Sequence, residues 1–380
     1  MKNYKTATVI LFLVFCVAVF GFEKRAEAEP ELQFSKELVA QLDQLIQTRM
    51  QSDNLPSVVV GVWVPSEGHY LKSFGKANLE TGEDRQFGTA FRIASITKTF
   101  TATVILSLAD EGLLKTSAPL SRYLPDFPDA KNITIRNLLR MRSGIVDYAD
   151  AAILDEWYKD PQKDYDLDTL IEIMASRSKA FTQPGQKTSY CNGNYVILAK
   201  IAEIASGKSF KTLVEEKVFQ PLKLTSTSYP KPDNYILNSN NRGYAWEASK
   251  NSFADKTELN TSCANAAGAI ISNMRDLKIY MRALYKGTLL SAKTQQKRLE
   301  TEPMEGAPSF CQYGEGILKL GKFYGHNGTI FGFSTEMFYL PAKDAVIIIN
   351  VNRLDLDDHS RSGGLFGEIS KTVFPEYVSW

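Results

Sequence analysis

The sequence predicts a mixed α/β (α+β) protein, with a largely antiparallel sheet flanked by helices and a helical lobe inserted between its parts. Three observations lead there. Runs with strand character lie towards both ends of the chain, helix patterns dominate the middle, and the C-terminal strand runs follow one another through short turns. Short turns connect antiparallel neighbours, whereas parallel strands need long crossovers. An α/β subdomain is expected from residues 29–90 and 266–380, and a mainly helical subdomain from 91–265, together one unit.

Ser35 to Met50 carries a charged, amphipathic helix pattern. "SVVVGVWV" (Ser57 to Val64) and "HYLKSFGKA" (His69 to Ala77) are β-rich runs separated by "PSEG", which reads as a hairpin. From Ser95, "SITKTFTATVILSLADEG" turns helical with apolar residues nearly all round, the mark of a buried helix, and Gly112 is its stop signal. Further helices are expected over Thr134 to Met141, Asp166 to Ser176, Asn194 to Ala205 and Phe210 to Val218. Ala266 to Gly287 reads as a turn followed by a helix. "EGILKL", "KFYGHNG", "FGFSTEMFYL" and "AVIIINVN" read as strands, and Leu365 to Val373 as a final helix.

Hydrophobic residues make up 44% and charged residues 23% of the 380, the balance of a soluble globular protein, and no repeat of fixed period is present. With 44 Lys+Arg against 43 Asp+Glu, a broad basic nucleic-acid surface is not indicated. Lys2 and Lys5 precede an uncharged run from Thr6 to Phe22, and Ala26-Glu27-Ala28 fits a small-x-small cleavage site. Residues 1–28 therefore read as a secretory signal, so an exported protein without a later membrane span is expected. A retained anchor is the alternative. Cys16 falls in the signal, leaving Cys191, Cys263 and Cys311, an odd number.

Only three histidines exist, His69, His326 and His359, and neither HExxH nor a Cys/His cluster is found, so no metal or cofactor is expected. Gly207-Lys208-Ser209 lacks the first glycine of a phosphate-binding loop and reads as a helix C-cap. A serine followed three residues later by lysine occurs four times: Ser73/Lys76, Ser95/Lys98, Ser176/Lys179 and Ser228/Lys231. In a strand, residues three apart face opposite ways, which disqualifies Ser73/Lys76. Ser176/Lys179 is at a polar helix end, and Ser228/Lys231 contains Pro230. Ser95 opens the buried helix, where a helix start favours a developing anion, and Lys98 lies one turn on along the same face. A lysine in apolar surroundings is costly unless paired or neutral, and a depressed pKa would let it take the serine proton. A serine cap followed by an outward-reaching lysine is the plain alternative.

"FRIASITKTFTA" resembles the nucleophile motif of the serine β-lactamase and penicillin-binding-protein superfamily. The chain is most similar to the branch of class C β-lactamases, serine D-Ala-D-Ala carboxypeptidases and related esterases. Tyr190-Cys191-Asn192 matches that branch's Y-x-N, and His326-Asn327-Gly328 its K/H-x-G strand, in the same order. "FGKANLETG", "ITIRNLLRMRSGI", "FQPLKLTST" and "AAGAIIS" match as well, and the resemblance covers roughly Leu38 to Asn352. It implies the β-lactamase/transpeptidase-like fold. It also implies Ser95 as acylated nucleophile, Lys98 as its proton acceptor or as the group that lowers the phenol's pKa, and Tyr190 as general base and proton carrier. Asn192 would bond the substrate amide and Lys98. The N–H groups of Ser95 and Thr329 would form the oxyanion hole, and Gly328 would let substrate lie along the strand edge.

With the signal-like segment, the resemblance implies an exported serine hydrolase, nearest a D-Ala-D-Ala carboxypeptidase, acting as a monomer on small peptides or peptidoglycan stems with β-lactams as covalent ligands. A β-lactamase, an esterase or amidase, and more remotely a non-catalytic penicillin sensor are the alternatives. His326 stands where class C β-lactamases carry lysine, Asn327 replaces the common threonine, and Cys191 replaces a serine. A histidine titrates near pH 6.5 unless perturbed, so His326 is expected to shape any activity transition between roughly pH 6 and 8. Lys319 and Lys322 are the nearby candidates for binding a substrate carboxylate. Because Cys191 lies within the motif, a disulfide would join Cys263 to Cys311; three free thiols are the alternative.

Overall fold

The computed structural model describes residues 32–149, 156, 159–229, 240–355 and 361–380. The signal-like segment with Cys16, Pro230 and Lys231 of the fourth serine–lysine pair, and His359 lie outside the described residues. The helices among those described are α1 (Lys36–Ser52), α2 (Thr97–Asp110), α3 (Ile135–Leu139), α4 (Leu167–Ser176), α5 (Gly193–Ser206), α6 (Phe210–Val214), α7 (Asn265–Gly268), α8 (Met274–Lys286), α9 (Ala292–Arg298) and α10 (Arg361–Val373). No helix among the described residues is long and apolar enough to cross a membrane.

An eight-stranded antiparallel sheet forms the frame. The hairpin of β1 (Ser57–Val64) and β2 (Gly68–Gly75) closes one edge; Val58 pairs with Phe74 on one side and with Val351 on the other. The short strands β3 (Phe91–Arg92) and β6 (Ile271–Ser272) pair with each other, as do β4 (Tyr244–Glu247) and β5 (Ser252–Asp255). The large sheet runs β2-β1-β12-β11-β10-β9-β8-β7, with β7 (Glu302–Pro303), β8 (Cys311–Tyr313), β9 (Leu318–Leu320), β10 (Phe323–Ile330), β11 (Phe333–Leu340) and β12 (Ala345–Val351). Residues near both ends of the chain thus build one sheet, as the strand runs predicted.

Every residue of β1, β11 and β12 is buried. These central strands are covered on both faces, which is why β1 and β12 read as nearly continuous apolar runs; β11 buries Ser334, Thr335 and Glu336 among its apolar residues. Successive residues of β11 show the two faces: Phe338 packs on Phe366 of α10, with ring centroids 4.6 Å apart, and Tyr339 stacks on Tyr285 of α8 at 4.5 Å. The helical middle follows prediction at α2, α4 and α5, and Gly207 caps α5 in the left-handed conformation. The helix beginning at Phe210 departs from α geometry at Glu215 and winds as a wider π turn to Phe219. The β4–β5 ribbon lies in the stretch expected to be mainly helical. Its four-residue strands are too short to show a period, and an edge-on contact of Trp246 with Phe253, centroids 5.0 Å apart, joins them. Cys191, Cys263 and Cys311 are all free thiols, so the Cys263–Cys311 bridge is not formed.

Glu336 is a carboxyl buried under the sheet, on the face that holds α10. Its Oε1 meets the hydroxyl of Ser362 at 2.8 Å, and burial raises its pKa to about 8. Because the folded pKa lies above the unfolded one, its stabilising effect is complete below about pH 4.5 and is lost as pH rises towards 8. Glu336→Gln keeps a partner for Ser362 without the titration. The variant should therefore gain on the wild type over that window, by at most about 4 kcal/mol at pH 8. Urea unfolding at pH 5 and pH 8 measures it; an advantage that does not grow with pH would contradict the assignment.

Candidate active site

A tight turn brings Ser95 to the sheet. Ala94–Ile96 winds as a 3-10 turn before α2, and Ala94 adopts φ 49°, a left-handed conformation that costs a non-glycine residue about 1 kcal/mol or more. The turn is held from both sides. The Ile93 N–H donates to the Ile270 carbonyl at 3.1 Å, and the turn abuts β10 at Gly328. A Cβ on Gly328 would lie 2.4 Å from the Ile93 carbonyl oxygen and 2.8 Å from the Ser95 nitrogen. The missing side chain therefore admits the turn itself against the strand. Beyond Gly325, β10 pairs with β11 but no longer with β9, so its outer edge is open to this approach.

Every residue of α2 from Thr97 to Leu106 is buried, Lys98 included, with no exposed surface. The lysine survives there because each of its N–H directions finds an oxygen: Ser95 Oγ at 2.9 Å, Asn192 Oδ1 at 2.7 Å and the Ala267 carbonyl at 2.8 Å. Burial nonetheless lowers its pKa to about 7, with the charge of Asp147 pulling the other way. Buried threonines on the same helix satisfy themselves: Thr99 and Thr103 donate to carbonyls one turn back, and Thr101 donates to Ala266 at 2.6 Å. Of the serine–lysine pairs whose side chains are described, only Ser95/Lys98 meets. Lys76 pairs with Asp84 at 2.6 Å, and the Ser73 hydroxyl is buried without a partner.

Tyr190 precedes α5, and its ring centroid lies 4.9 Å from Lys98 Nζ. The surrounding protein pushes its phenol above the ordinary value even though 38% of the residue stays open to solvent; a hydrogen bond with Ser95 opposes the shift. Asn192 stands at the N-terminus of α5, where Asp147 grips it. One carboxylate oxygen accepts from the Asn192 backbone N–H at 3.0 Å and from its Nδ2 at 2.7 Å; the other accepts from the Gly193 N–H at 3.4 Å.

His326 on β10 is 1% exposed. Its Nδ1 lies 2.5 Å from the Asn327 carbonyl, which can only accept, so Nδ1 carries the proton and Nε2 accepts from the Tyr313 hydroxyl at 3.1 Å. Tyr313 in turn stands 3.3 Å from the Tyr195 hydroxyl, which donates to the Leu139 carbonyl. Burial, and then the positive charge of Lys98, lower the His326 pKa to about 3. The expectation of a histidine titrating between pH 6 and 8 is corrected by this burial; Lys98 is the site group whose pKa falls in that window. The pleat carries Asn327 and Thr329 to the face of their cross-strand partners Glu336 and Ser334, away from His326, so these two residues reach the site by their backbones. Lys319 rests over the Tyr324 ring and Lys322 over Tyr377, and neither contacts a residue of the cluster in these interactions.

Sequence reasoning named Ser95, Lys98, Tyr190, Asn192 and His326, and the fold brings them together. It missed Asp147, Tyr195, Tyr313 and the Ala267 carbonyl. Asp147 is a lone acid in "SGIVDYAD", and a backbone carbonyl has no sequence signal at all.

A family model described as Beta-lactamase matches residues 42–364. The putative penicillin-binding protein PbpX of Bacillus subtilis (strain 168) is 29% identical over 287 residues, covering 74% of this chain and 66% of that protein. Teichoic acid D-alanine hydrolase of Staphylococcus aureus is 26% identical over 289 residues, with the same coverage of 74% and 66%. The chain thus spans just under two thirds of the length of these curated relatives. The structure of a D-stereospecific amidohydrolase from Streptomyces sp. superposes with a TM-score of 0.74 at 26% identity, covering 83% of this chain and 94% of that one.

The geometry at Gly328 is testable. Gly328→Ala should force β10 and the Ser95 turn apart, at a cost of about 1–3 kcal/mol, and slow labelling of Ser95 by a fluorophosphonate more than tenfold. Labelling at the wild-type rate in a folded variant would show that this close approach is not needed.

Proposed function

The chain belongs to the β-lactamase family, and on that premise we propose that it is a serine hydrolase that forms an acyl-enzyme at Ser95 and cleaves amide or ester bonds of D-amino-acyl substrates. The observation that carries the proposal is the Lys98 amine, buried and 2.9 Å from Ser95 Oγ. Two of its three partners, Asn192 Oδ1 and the Ala267 carbonyl, can only accept hydrogen bonds. A neutral amine has two N–H groups for those acceptors and one lone pair left, and that lone pair faces the serine hydroxyl. A pKa of about 7 keeps a large neutral fraction at physiological pH. Tyr190, pushed the other way, stays protonated. Lys98 is therefore the first acceptor, and Tyr190 the group that passes a proton on to the leaving group.

In the acylation step Ser95 Oγ bonds to the substrate carbonyl carbon while its proton moves to Lys98 Nζ. The N–H groups of Ser95 and Thr329 receive the oxyanion, an arrangement whose loss of one donor typically costs about 3–4 kcal/mol. Collapse expels the protonated amine or alcohol, and water then releases the acid and restores Ser95.

The neutral site favours uncharged leaving groups. His326 is unprotonated above about pH 3, and Lys319 and Lys322 lie over the Tyr324 and Tyr377 rings rather than against Ser95 or Lys98. This supports a D-amino-acyl amidase, esterase or peptidase over a carboxypeptidase that grips a terminal carboxylate, and over a β-lactamase. The teichoic acid D-alanine hydrolase and the D-stereospecific amidohydrolase, both named for D-configured groups, point the same way. A D-alanyl-D-alanine carboxypeptidase is the second reading, resting on the histidine of the third motif. Export to the cell envelope, a monomeric state and the division into 29–90 with 266–380 and 91–265 belong to the same proposal.

Turnover compared on D-alanine p-nitroanilide, a D-Ala-D-Ala peptide, nitrocefin and a short p-nitrophenyl ester tests the substrate class. D-Alanyl amide and ester should be cleaved at least tenfold faster than nitrocefin. Preference for nitrocefin would overturn the proposal, and Ser95→Ala should abolish every activity. With kcat/KM, the acid limb should rise through about pH 7 as Lys98 loses its proton. The limb should persist in His326→Gln; its disappearance there would assign it to the histidine.

A further inference from the structure

Within the proposed acyl-enzyme mechanism, we propose that Asp147 is a positioning residue: it fixes which end of the Asn192 amide faces Lys98 and so prepares both groups for catalysis. An asparagine side chain can present either oxygen or nitrogen to a neighbour. At Asn192 the choice is forced from behind. Asp147 can only accept as a carboxylate, so its oxygen draws the Nδ2 end at 2.7 Å, and Oδ1 is left to accept from Lys98 at 2.7 Å. The same carboxylate also accepts the Asn192 and Gly193 backbone N–H groups at the start of the fourteen-residue helix α5. One bond from Asp147 thus orients the amide and two more anchor the backbone that carries it, and one N–H of Nδ2 remains for a substrate carbonyl. A flipped amide would point N–H groups at the Lys98 amine and turn its oxygen to a carboxylate.

The carboxylate acts on Lys98 through space as well. The groups that face the amine are Ser95, Asn192 Oδ1, Tyr190 and Cys191 ahead of α5, Tyr195 on α5 with its ring 5.9 Å away, and the Ala267 carbonyl of α7; His326 is near enough to feel its charge. Cys191 is held protonated by burial, and His326 is neutral. Asp147 is the standing negative charge of this set. It supports the ammonium that forms when the amine takes the serine proton, and it opposes the fall in the amine's pKa.

The test uses the full chain and the rate of Ser95 labelling by a fluorophosphonate, followed from pH 5 to 9 alongside thermal melting. Asp147→Asn removes the charge and the forced orientation. Its acid limb should move down by about half a pH unit or more, and its plateau should fall about tenfold or more. Asp147→Glu keeps the charge but displaces it, so its limb should stay near the wild-type position while its plateau falls. Should Asp147→Asn fail to fold, Asp147→Ser carries the same two expectations. Wild-type limb and plateau in a folded neutral variant would overturn the inference, as would a lowered plateau with an unmoved limb, the mark of a merely structural role. Absence of labelling at Ser95 in the wild type would instead sink the acyl-enzyme proposal.

Discussion

The site is organised around one costly act, the burial of an amine. Lys98 is closed off from solvent, and an ammonium there without partners would cost many kcal/mol. Three separate parts of the chain supply the oxygens that make it tolerable: the turn before α2, the start of α5, and α7. Each must be correctly docked for the lysine to stay. The remaining polar groups of α2 are arranged so that none competes for those oxygens, with Arg298 bonding Thr103 further along. The same burial that ties the elements together lowers the amine's pKa into the range where it can accept a proton, so stability and reactivity are set by one interaction.

The sheet contributes rigidity and a neutral wall. Strand β10 lies against the Ser95 turn with no room for a side chain at Gly328, and Ala94 takes a left-handed conformation beside it. His326 is fixed by a bond at each ring nitrogen and linked through Tyr313 to the neighbourhood of Tyr195. A charged residue placed there would have to be desolvated against these rings. The result is a wall that stays neutral beside Lys98, with the Asp147 carboxylate held behind Asn192.

Much of this was legible in the sequence. The all-round apolar pattern of α2, the hairpin of β1 and β2, the C-terminal meander and the Gly207 cap all follow from local rules of period and turn chemistry. The elements that escaped are those with no apolar period to read: the two- and three-residue strands β3 and β6 to β8, the β4–β5 ribbon, the seven-residue polar helix α9, and the switch to a π turn after Val214. The same distinction holds in the site. Ser95, Lys98, Tyr190, Asn192 and His326 are each ordinary alone and are visible because their three motifs occur in the order of the family the chain resembles. Asp147 acts from a loop far from α5 in sequence, and Ala267 acts through a carbonyl that any residue would provide. The ionisation of His326 was misjudged for a related reason: the sequence shows an imidazole but not the depth at which it is buried.

The central claim is that Lys98 is a largely neutral amine at physiological pH, and its own titration tests that most directly. Nuclear magnetic resonance of the protein carrying labelled lysine side chains, with the Lys98 signal assigned by its loss in Lys98→Met, gives the midpoint without reference to any substrate. The account predicts a midpoint near pH 7 for this lysine, well below the ordinary lysine range. A Lys98 that remains charged to above pH 10 would contradict it, because a permanently protonated amine cannot take the proton of Ser95.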